Sequence, residues 1–338
     1  MPNKIVRTIC FFAANPSDDS TRRLNDIEGV LKSNGFEVQT KRICSTGKTI
    51  KELDEAMKDT SVLLNVGTLS LENAQNQLKD FFEERSVSFN LDLTAEEIAE
   101  KHIELLFDII KENPAKTFEF AYVFNNAPSS PYFPSAVYEK EGFSIGLQST
   151  ALAKDCKTLE EWLNNMKIVW EEIDALFKEE KDYLGIDSSI APIFDGDGSL
   201  INFVKKIKSN FEESVLTDIY LTITEFIKKQ NPKPVGLCGL MFPCLEDFEL
   251  ADEYEKGNFS IERNIFLSLH SGLGIDTYPV GIDENPAKIT DILKVVQRLS
   301  SKYKKPLSVR FVSDGNAKIG EKTDFQNQYL KDVTIRKL

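Results

Sequence analysis

The sequence contains LGIDS at 184–188 and LGIDT at 273–277, and a proline follows each copy, at Pro192 and Pro279. In both copies a short apolar run ends at an aspartate that is followed by a hydroxyl-bearing residue. An apolar strand that ends at a carboxylate is typical of α/β proteins, which collect their chemistry at the carboxyl ends of their strands. The pair therefore predicts an α/β fold and two acids at a candidate site.

Strand-like and helix-like stretches alternate on both sides of these copies. The β-branched and aromatic run 5–13 is followed by a helical pattern, and two more such units follow before residue 84. Further on, 235–242 and 307–312 are predicted strands, the first with two internal glycines and the second with Arg310 inside it. We treat residues 1–338 as a single α/β domain.

Composition excludes several classes of protein. The hydrophobic fraction of 41% is enough for a large core, and the net charge of −13 argues against nucleic acid or an anionic membrane surface as the main partner. The five cysteines are scattered without CxxC spacing, as expected for reduced thiols. Residues 1–13 lack a signal-peptide cleavage pattern, and no run of 18 apolar residues occurs. We expect a cytoplasmic protein.

Several longer motifs carry a family resemblance, and they occur along most of the chain: NAPSSPYFPSA (126–136), GIDSSIAP (185–192), GLMFPCLED (239–247), LGIDTYPV (273–280) and PLSVRFVSDGNAKIGEKTDFQNQYL (306–330). This set resembles the uncharacterised "domain of unknown function 711" family. The resemblance implies a closed α/β barrel of about ten strands with surrounding helices, similar to the barrel of pyruvate formate-lyase. It implies no particular reaction, because the family has no settled one.

Two departures bear on mechanism. Family members often carry a cysteine where Ser271 stands, which puts a thiol role there in doubt. Gly315 and Gly320 lie in a polar loop without the aromatic neighbour of a glycyl-radical signature, so we do not expect a radical mechanism.

Four acids follow predicted apolar strands and are the predicted catalytic residues: Asp187, Asp276, Glu246 and Asp247. If these strands share one barrel, their carboxylates meet at one mouth. Crowded carboxylates raise at least one pKa and so provide a general acid and a base; alternatively, they hold a divalent cation such as Mg²⁺. Either chemistry suits a hydrolase, lyase or isomerase that acts on a small polar or anionic substrate.

Other polar residues near these acids are predicted to bind the substrate: Asn125, Asn126, Tyr132, Ser188, Met241, Thr277 and Arg310. The asparagines and Tyr132 belong to a proline-rich loop that follows the predicted strand 118–124. Its amides and hydroxyls are available to a ligand, although prolines also simply stiffen a connection. Arg310 and the hydroxyls are suited to orient an anionic group.

Three alternatives stay open at this point. Aspartate followed by serine or threonine is also ordinary turn and capping chemistry. A non-catalytic protein that binds a small ligand, alone or as a homo-oligomer, needs the same concave polar pocket as an enzyme. A thiol mechanism uses Cys238 or Cys244 as the nucleophile with His270 as its partner, although cysteines in strands are usually buried packing.

Overall fold

The structure is a computed structural model that describes residues 3–208 and 210–338. Ten strands of the described residues form one mixed sheet. The strands are β1 (Ile5–Phe12), β2 (Glu37–Val38), β3 (Lys41–Cys44), β4 (Val62–Leu69), β5 (Val87–Asp92), β6 (Phe120–Phe124), β7 (Gly142–Leu147), β8 (Tyr183–Asp187), β9 (Gly274–Pro279) and β10 (Leu307–Val312).

Helices surround this sheet. They are α1 (Asp18–Ser33), α2 (Ile50–Ala56), α3 (Leu71–Asn76), α4 (Leu78–Glu83), α5 (Glu100–Glu112), α6 (Leu159–Phe177), α7 (Leu200–Lys208), α8 (Phe211–Ser214), α9 (Ile219–Gln230), α10 (Phe248–Lys256), α11 (Ile261–His270) and α12 (Pro286–Tyr303). Short 3₁₀ turns cover Pro114–Glu119, Ser149–Ala153 and Gly196–Gly198. The predicted α/β class is confirmed.

The sheet order is β8-β7-β1-β3-β4-β5-β6-β10-β9, with β2 paired to β1. Strands β1, β3, β4, β5 and β6 are parallel and form the central block. The pairs β7–β8 and β10–β9 flank this block and run in the opposite direction. One end of the sheet therefore combines the amino ends of the central block with the carboxyl ends of the flanking pairs.

The segment 234–243 lies between the two edge strands, β8 and β9. Isolated parallel bridges join it to the β8 side at Ile186 and Ile190 and to the β9 side at Gly272 and Asp276. The sequence predicted a strand at 235–242, but the structure has only these separate bridges there, because Gly236, Gly239 and the flanking prolines interrupt regular pairing. No continuous ladder closes the sheet within the described residues.

The two faces of the sheet differ in what covers them. One face packs against the helices in a large apolar core that includes Ile9, Ile43 and Phe89. The other face carries a small apolar cluster around Cys10 and Cys44, together with polar side chains of the central strands. In residues 3–208 and 210–338, no helix is both long enough and apolar enough to span a bilayer.

Candidate functional site

The proline-rich loop 126–136 lies against the polar face of the sheet. Asn90 donates hydrogen bonds to the carbonyls of Pro134 (2.8 Å) and Ala136 (3.1 Å), and Asn65 donates to Pro134 as well (3.1 Å). Arg42 donates to the carbonyl of Pro131 (3.3 Å). The loop is therefore held from within by side chains of three central strands.

A cavity of about 430 Å³ opens beside this loop. Its wall on one side comes from the amino ends of the central strands, and on the other from β9, β10 and the segment that ends at Glu246. Tyr132 and Phe133 of the loop line its inner part. A pocket of this volume is suited to a small molecule.

Arg310 binds two of the predicted acids inside this cavity. Its Nη2 donates to Glu246 Oε1 at 2.5 Å, and its Nε donates to Asp276 Oδ1 at 2.7 Å. The guanidinium also lies over the ring of Phe118, 4.9 Å from the ring centre, and donates to the Phe118 carbonyl. The three charged side chains are mostly buried, which strengthens their mutual attraction.

A β-bulge sets this geometry. Val309 pairs with Ile275 and Phe311 pairs with Tyr278, so Asp276 and Thr277 together oppose the single residue Arg310. Thr277 has φ of 37°, a left-handed conformation that is strained for a β-branched residue. Bulges and strained residues of this kind occur next to active sites, where they redirect side chains.

Glu246 is the acid whose pKa the cavity perturbs. Burial raises the pKa of its carboxyl above the ordinary value, Asp276 raises it further, and Arg310 opposes the shift. Oε1 is bound by Arg310, while no described residue donates a hydrogen bond to Oε2. A carboxyl of this kind is suited to exchange a proton with a ligand in the cavity.

The structure does not bring Asp187 into the cavity lining. This side chain is fully buried, and its oxygens accept hydrogen bonds from Ser130, Ser189 and the backbone N–H groups of Leu237 and Cys238. It thereby ties β8 to the proline-rich loop and to the segment 234–243. This is a structural arrangement, and a catalytic role for Asp187 stays a prediction.

Asp247 is likewise directed away from the cavity. It caps α10 by accepting from the backbone of Glu249 and Leu250, and it also accepts from the backbone of Leu200 and Ile201 at the start of α7. Burial raises its pKa to about 7, against the hydrogen bonds that lower it. These contacts are those of a helix cap, and a catalytic role for Asp247 stays a prediction.

The predicted substrate-binding residues divide into two groups. Tyr132, Met241 and Arg310 line the cavity. The other four do not line it. Asn125 donates to the hydroxyl of Ser300, and Asn126 donates to the carbonyl of Ser135 in the same loop. Ser188 donates to the carbonyl of Ile227, and the buried hydroxyl of Thr277 has no partner among the described residues. The asparagines thus make hydrogen bonds within the protein, and their role in substrate binding stays a prediction.

A comparison with protein families identifies the relationship. The model of the family described as "Uncharacterised ACR (DUF711)" matches residues 83–327. The chain belongs to this family. The predicted resemblance is thereby confirmed, and the matched span includes Glu246, Asp276 and Arg310. No curated protein matches the chain.

In this DUF711 protein two cavity arginines, Arg7 and Arg42, lie ahead of the matched span and were missed from the sequence. Arg7 is in β1 and Arg42 in β3. Arg7 interrupts the mostly apolar strand β1, which is the signal that singled out Arg310, whereas β3 reads KRIC, so Arg42 follows another basic residue and gives a weaker signal. The cavity carboxylate Glu119 was also missed; it accepts from Lys116 at 2.7 Å and from Ser86 at 2.9 Å.

The thiols have surroundings that disfavour nucleophilic chemistry. Burial raises the pKa of Cys238 to about 11 and that of Cys244 well above its ordinary value. Nδ1 of His270 lies 2.7 Å from Oγ of Ser271 and so contacts a hydroxyl rather than a thiol. A thiolate is the reactive form, and apolar burial suppresses it.

The carboxylates of the cavity do not fit the alternative of a bound divalent cation such as Mg²⁺. Within residues 3–208 and 210–338, no three His, Cys, Asp or Glu side chains converge as metal ligands. Glu246 and Asp276 are both paired with Arg310, and Glu119 is paired with Lys116. Hard divalent cations require several free oxygen ligands.

Proposed function

We propose that this DUF711 protein is an enzyme that transfers protons on a small anionic substrate, with Glu246 as the proton carrier. The observation that carries the proposal is a buried carboxyl with a raised pKa, fixed by an arginine on the wall of a cavity of small-molecule size. Such a combination is typical of general acid–base sites.

Each cavity residue has a role in this chemistry. Protonated Glu246 donates to a substrate atom, and the ionised carboxylate that remains is stabilised by Arg310. Asp276 holds the guanidinium from its other side and so fixes its orientation. Tyr132 contributes its ring to the cavity wall, because its hydroxyl donates to the carbonyls of Ser189 (3.3 Å) and Leu147 (3.4 Å). Lyase, isomerase and hydrolase reactions all use a proton carrier of this type.

We further propose that the sheet functions as a closed barrel similar to that of pyruvate formate-lyase, in a cytoplasmic protein. The parallel bridges of the segment 234–243 to both edge strands support closure. The five unpaired cysteines and the net charge of −13 support a reducing compartment and a small-molecule partner rather than nucleic acid or a membrane surface.

One feature favours a second candidate, a non-catalytic protein that binds a small ligand. Arg310 engages both Glu246 and Asp276, and a fully paired network also serves as a fixed recognition surface. In that case Glu246 would contact a ligand without exchanging protons with it.

A turnover experiment separates the two candidates. The wild-type protein is incubated with a mixture of small organic acids in ²H₂O, and consumption or deuterium incorporation is followed by mass spectrometry. We expect activity that Glu246→Gln and Asp276→Asn abolish. Glu253→Gln is the matched control, since Glu253 is a buried glutamate outside the cavity that pairs with Lys205. Ligand binding without turnover in the wild type would support the binder instead.

A further inference from the structure

Arg7 and Arg42 differ from the other charged residues of the cavity because neither has a carboxylate partner. Within residues 3–208 and 210–338, no Asp or Glu oxygen lies within 4.0 Å of either guanidinium, whereas Arg310, Glu246, Asp276 and Glu119 are all in ion pairs. Arg7 donates only to the side chain of Gln39, at 3.4 Å.

Arg42 is the more unusual of the two, because only 8% of it is exposed. Its Nε donates to Thr40 at 3.4 Å and its Nη1 to the carbonyl of Pro131 at 3.3 Å, which are long and uncharged contacts. Burial, together with the neighbouring Arg7, lowers the pKa of Arg42 to about 10. A buried charge without a counter-ion is unfavourable, so an anion at this position would stabilise the protein.

The surroundings of the pair describe the rest of such a ligand. Arg42 lies over the ring of Phe133, 5.0 Å from the ring centre, and this ring faces the cavity. Leu63, Leu237 and Met241 also line the cavity. An apolar wall next to two unpaired arginines is complementary to an organic anion that has an apolar body.

We propose that Arg7 and Arg42 bind the oxyanion of an amphipathic organic acid, a carboxylate or a phosphate monoester, whose apolar body lies on Phe133 and Met241. This inference rests on the proposed function in one respect, since it places the opposite, reacting end of the molecule at Glu246. Two planar guanidiniums supply several N–H donors in the geometry that carboxylate and phosphate oxygens accept.

The probes for this site share one ring and differ in their head group: 4-fluorobenzoate, 4-fluorophenyl phosphate and the neutral 4-fluorobenzamide. Their dissociation constants are measured by ¹⁹F NMR line broadening at fixed ionic strength, with the whole 338-residue chain. We expect at least one of the two anions to bind at least tenfold more tightly than the amide. Which anion binds more tightly distinguishes a carboxylate ligand from a phosphate ligand.

Arg7→Gln and Arg42→Gln should each weaken binding of that anion at least tenfold and leave the amide unchanged. Arg22→Gln is the matched control, because Arg22 is an exposed arginine on α1 that pairs only with Asp19. Circular dichroism checks the fold of each variant. If Arg42→Gln does not fold, the Arg7→Gln variant alone tests the proposal. Arg7 is only half-buried, so its replacement should leave the fold intact.

The proposal is overturned if neither anion binds the wild type at 20 mM, if the amide binds as tightly as both anions, or if Arg7→Gln binds like the Arg22→Gln control. Turnover is not needed for these measurements. Loss of turnover in Glu246→Gln and loss of probe binding in Arg7→Gln are separate readouts, so the two proposals can fail independently.

Discussion

Replacing Asp187 by asparagine tests whether the first LGID aspartate is a structural residue. Oδ1 accepts hydrogen bonds from the N–H of Ser189 (3.0 Å), the hydroxyl of Ser189 (2.6 Å) and the N–H of Cys238 (3.1 Å). Oδ2 accepts from the hydroxyl of Ser130 (2.7 Å) and the N–H of Leu237 (3.0 Å). The substitution changes only Oδ2, which becomes an NH₂ group.

The expected loss follows from these contacts. The Ser130 hydroxyl can rotate and accept from the new NH₂ group, but the Leu237 N–H cannot, so one buried donor loses its partner. An unpaired buried donor costs about 1–3 kcal/mol and a hydrogen bond to a charged group contributes about 1.5–3 kcal/mol, so we expect a loss of about 3–4 kcal/mol. With an unfolding entropy of about 2.1 cal/mol/K per residue, the melting temperature should fall by about 5 °C.

Calorimetry and urea unfolding measure this loss, and the other LGID copy is the control. In Asp276→Asn the amide oxygen can still accept the hydrogen bond from Arg310, and Asp276 is more exposed than Asp187. We therefore expect this variant to lose only about 1 kcal/mol of stability, and to lose activity. On the entropy scale used above, a loss of 1 kcal/mol lowers the melting temperature by about 1.4 °C. An Asp187→Asn protein that melts within about 1 °C of the wild type would therefore refute the structural assignment.

Three further predictions concern the buried polar residues Asp247 and Asn90. Asp247→Ala removes the cap shared by α7 and α10 and should cost about 2–4 kcal/mol in urea unfolding; a loss below about 0.5 kcal/mol would contradict the double cap. Because the folded pKa of Asp247, about 7, is above the unfolded value of about 3.9, its protonation favours the fold. This contribution is complete below about pH 4 and is lost as the pH rises through about 7, so urea midpoints of Asp247→Asn should depend less on pH than those of the wild type. Asn90→Asp removes both donors to the proline-rich loop and should cost about 3 kcal/mol, whereas a urea midpoint equal to the wild type would show that the loop does not depend on them.

The two LGID copies show how far the sequence predicts the site. The pattern correctly places Asp187 at the end of an apolar strand, β8, but it is wrong for Asp276, because β9 continues through a bulge to Pro279. It does not indicate which groups fill the space beyond the strand. Asp187 meets donors from residues about fifty positions away, and Asp276 meets Arg310 of the neighbouring strand, so identical local sequences have different surroundings.

The α/β class and the family were predictable because strand periodicity and the motifs are local properties of the sequence. Arg7 and Arg42 were not predicted, because an arginine inside a strand faces either solvent or the interior, and for Arg42 only its contact with the loop 126–136 shows which. The segment 234–243 was predicted as a strand from its apolar residues, but its glycines and prolines limit it to separate bridges.

The pKa of Glu246 is the most direct test of the proposed proton carrier. The protein is labelled with ¹³C at the glutamate side-chain carboxyl, and the Glu246 signal is assigned as the one missing in Glu246→Gln. Its chemical shift is then followed across the pH range in which the protein stays folded. We predict titration above the ordinary glutamate value of about 4.3, because burial and Asp276 oppose ionisation. Titration at or below about 4.3 would contradict the role of Glu246 as a general acid.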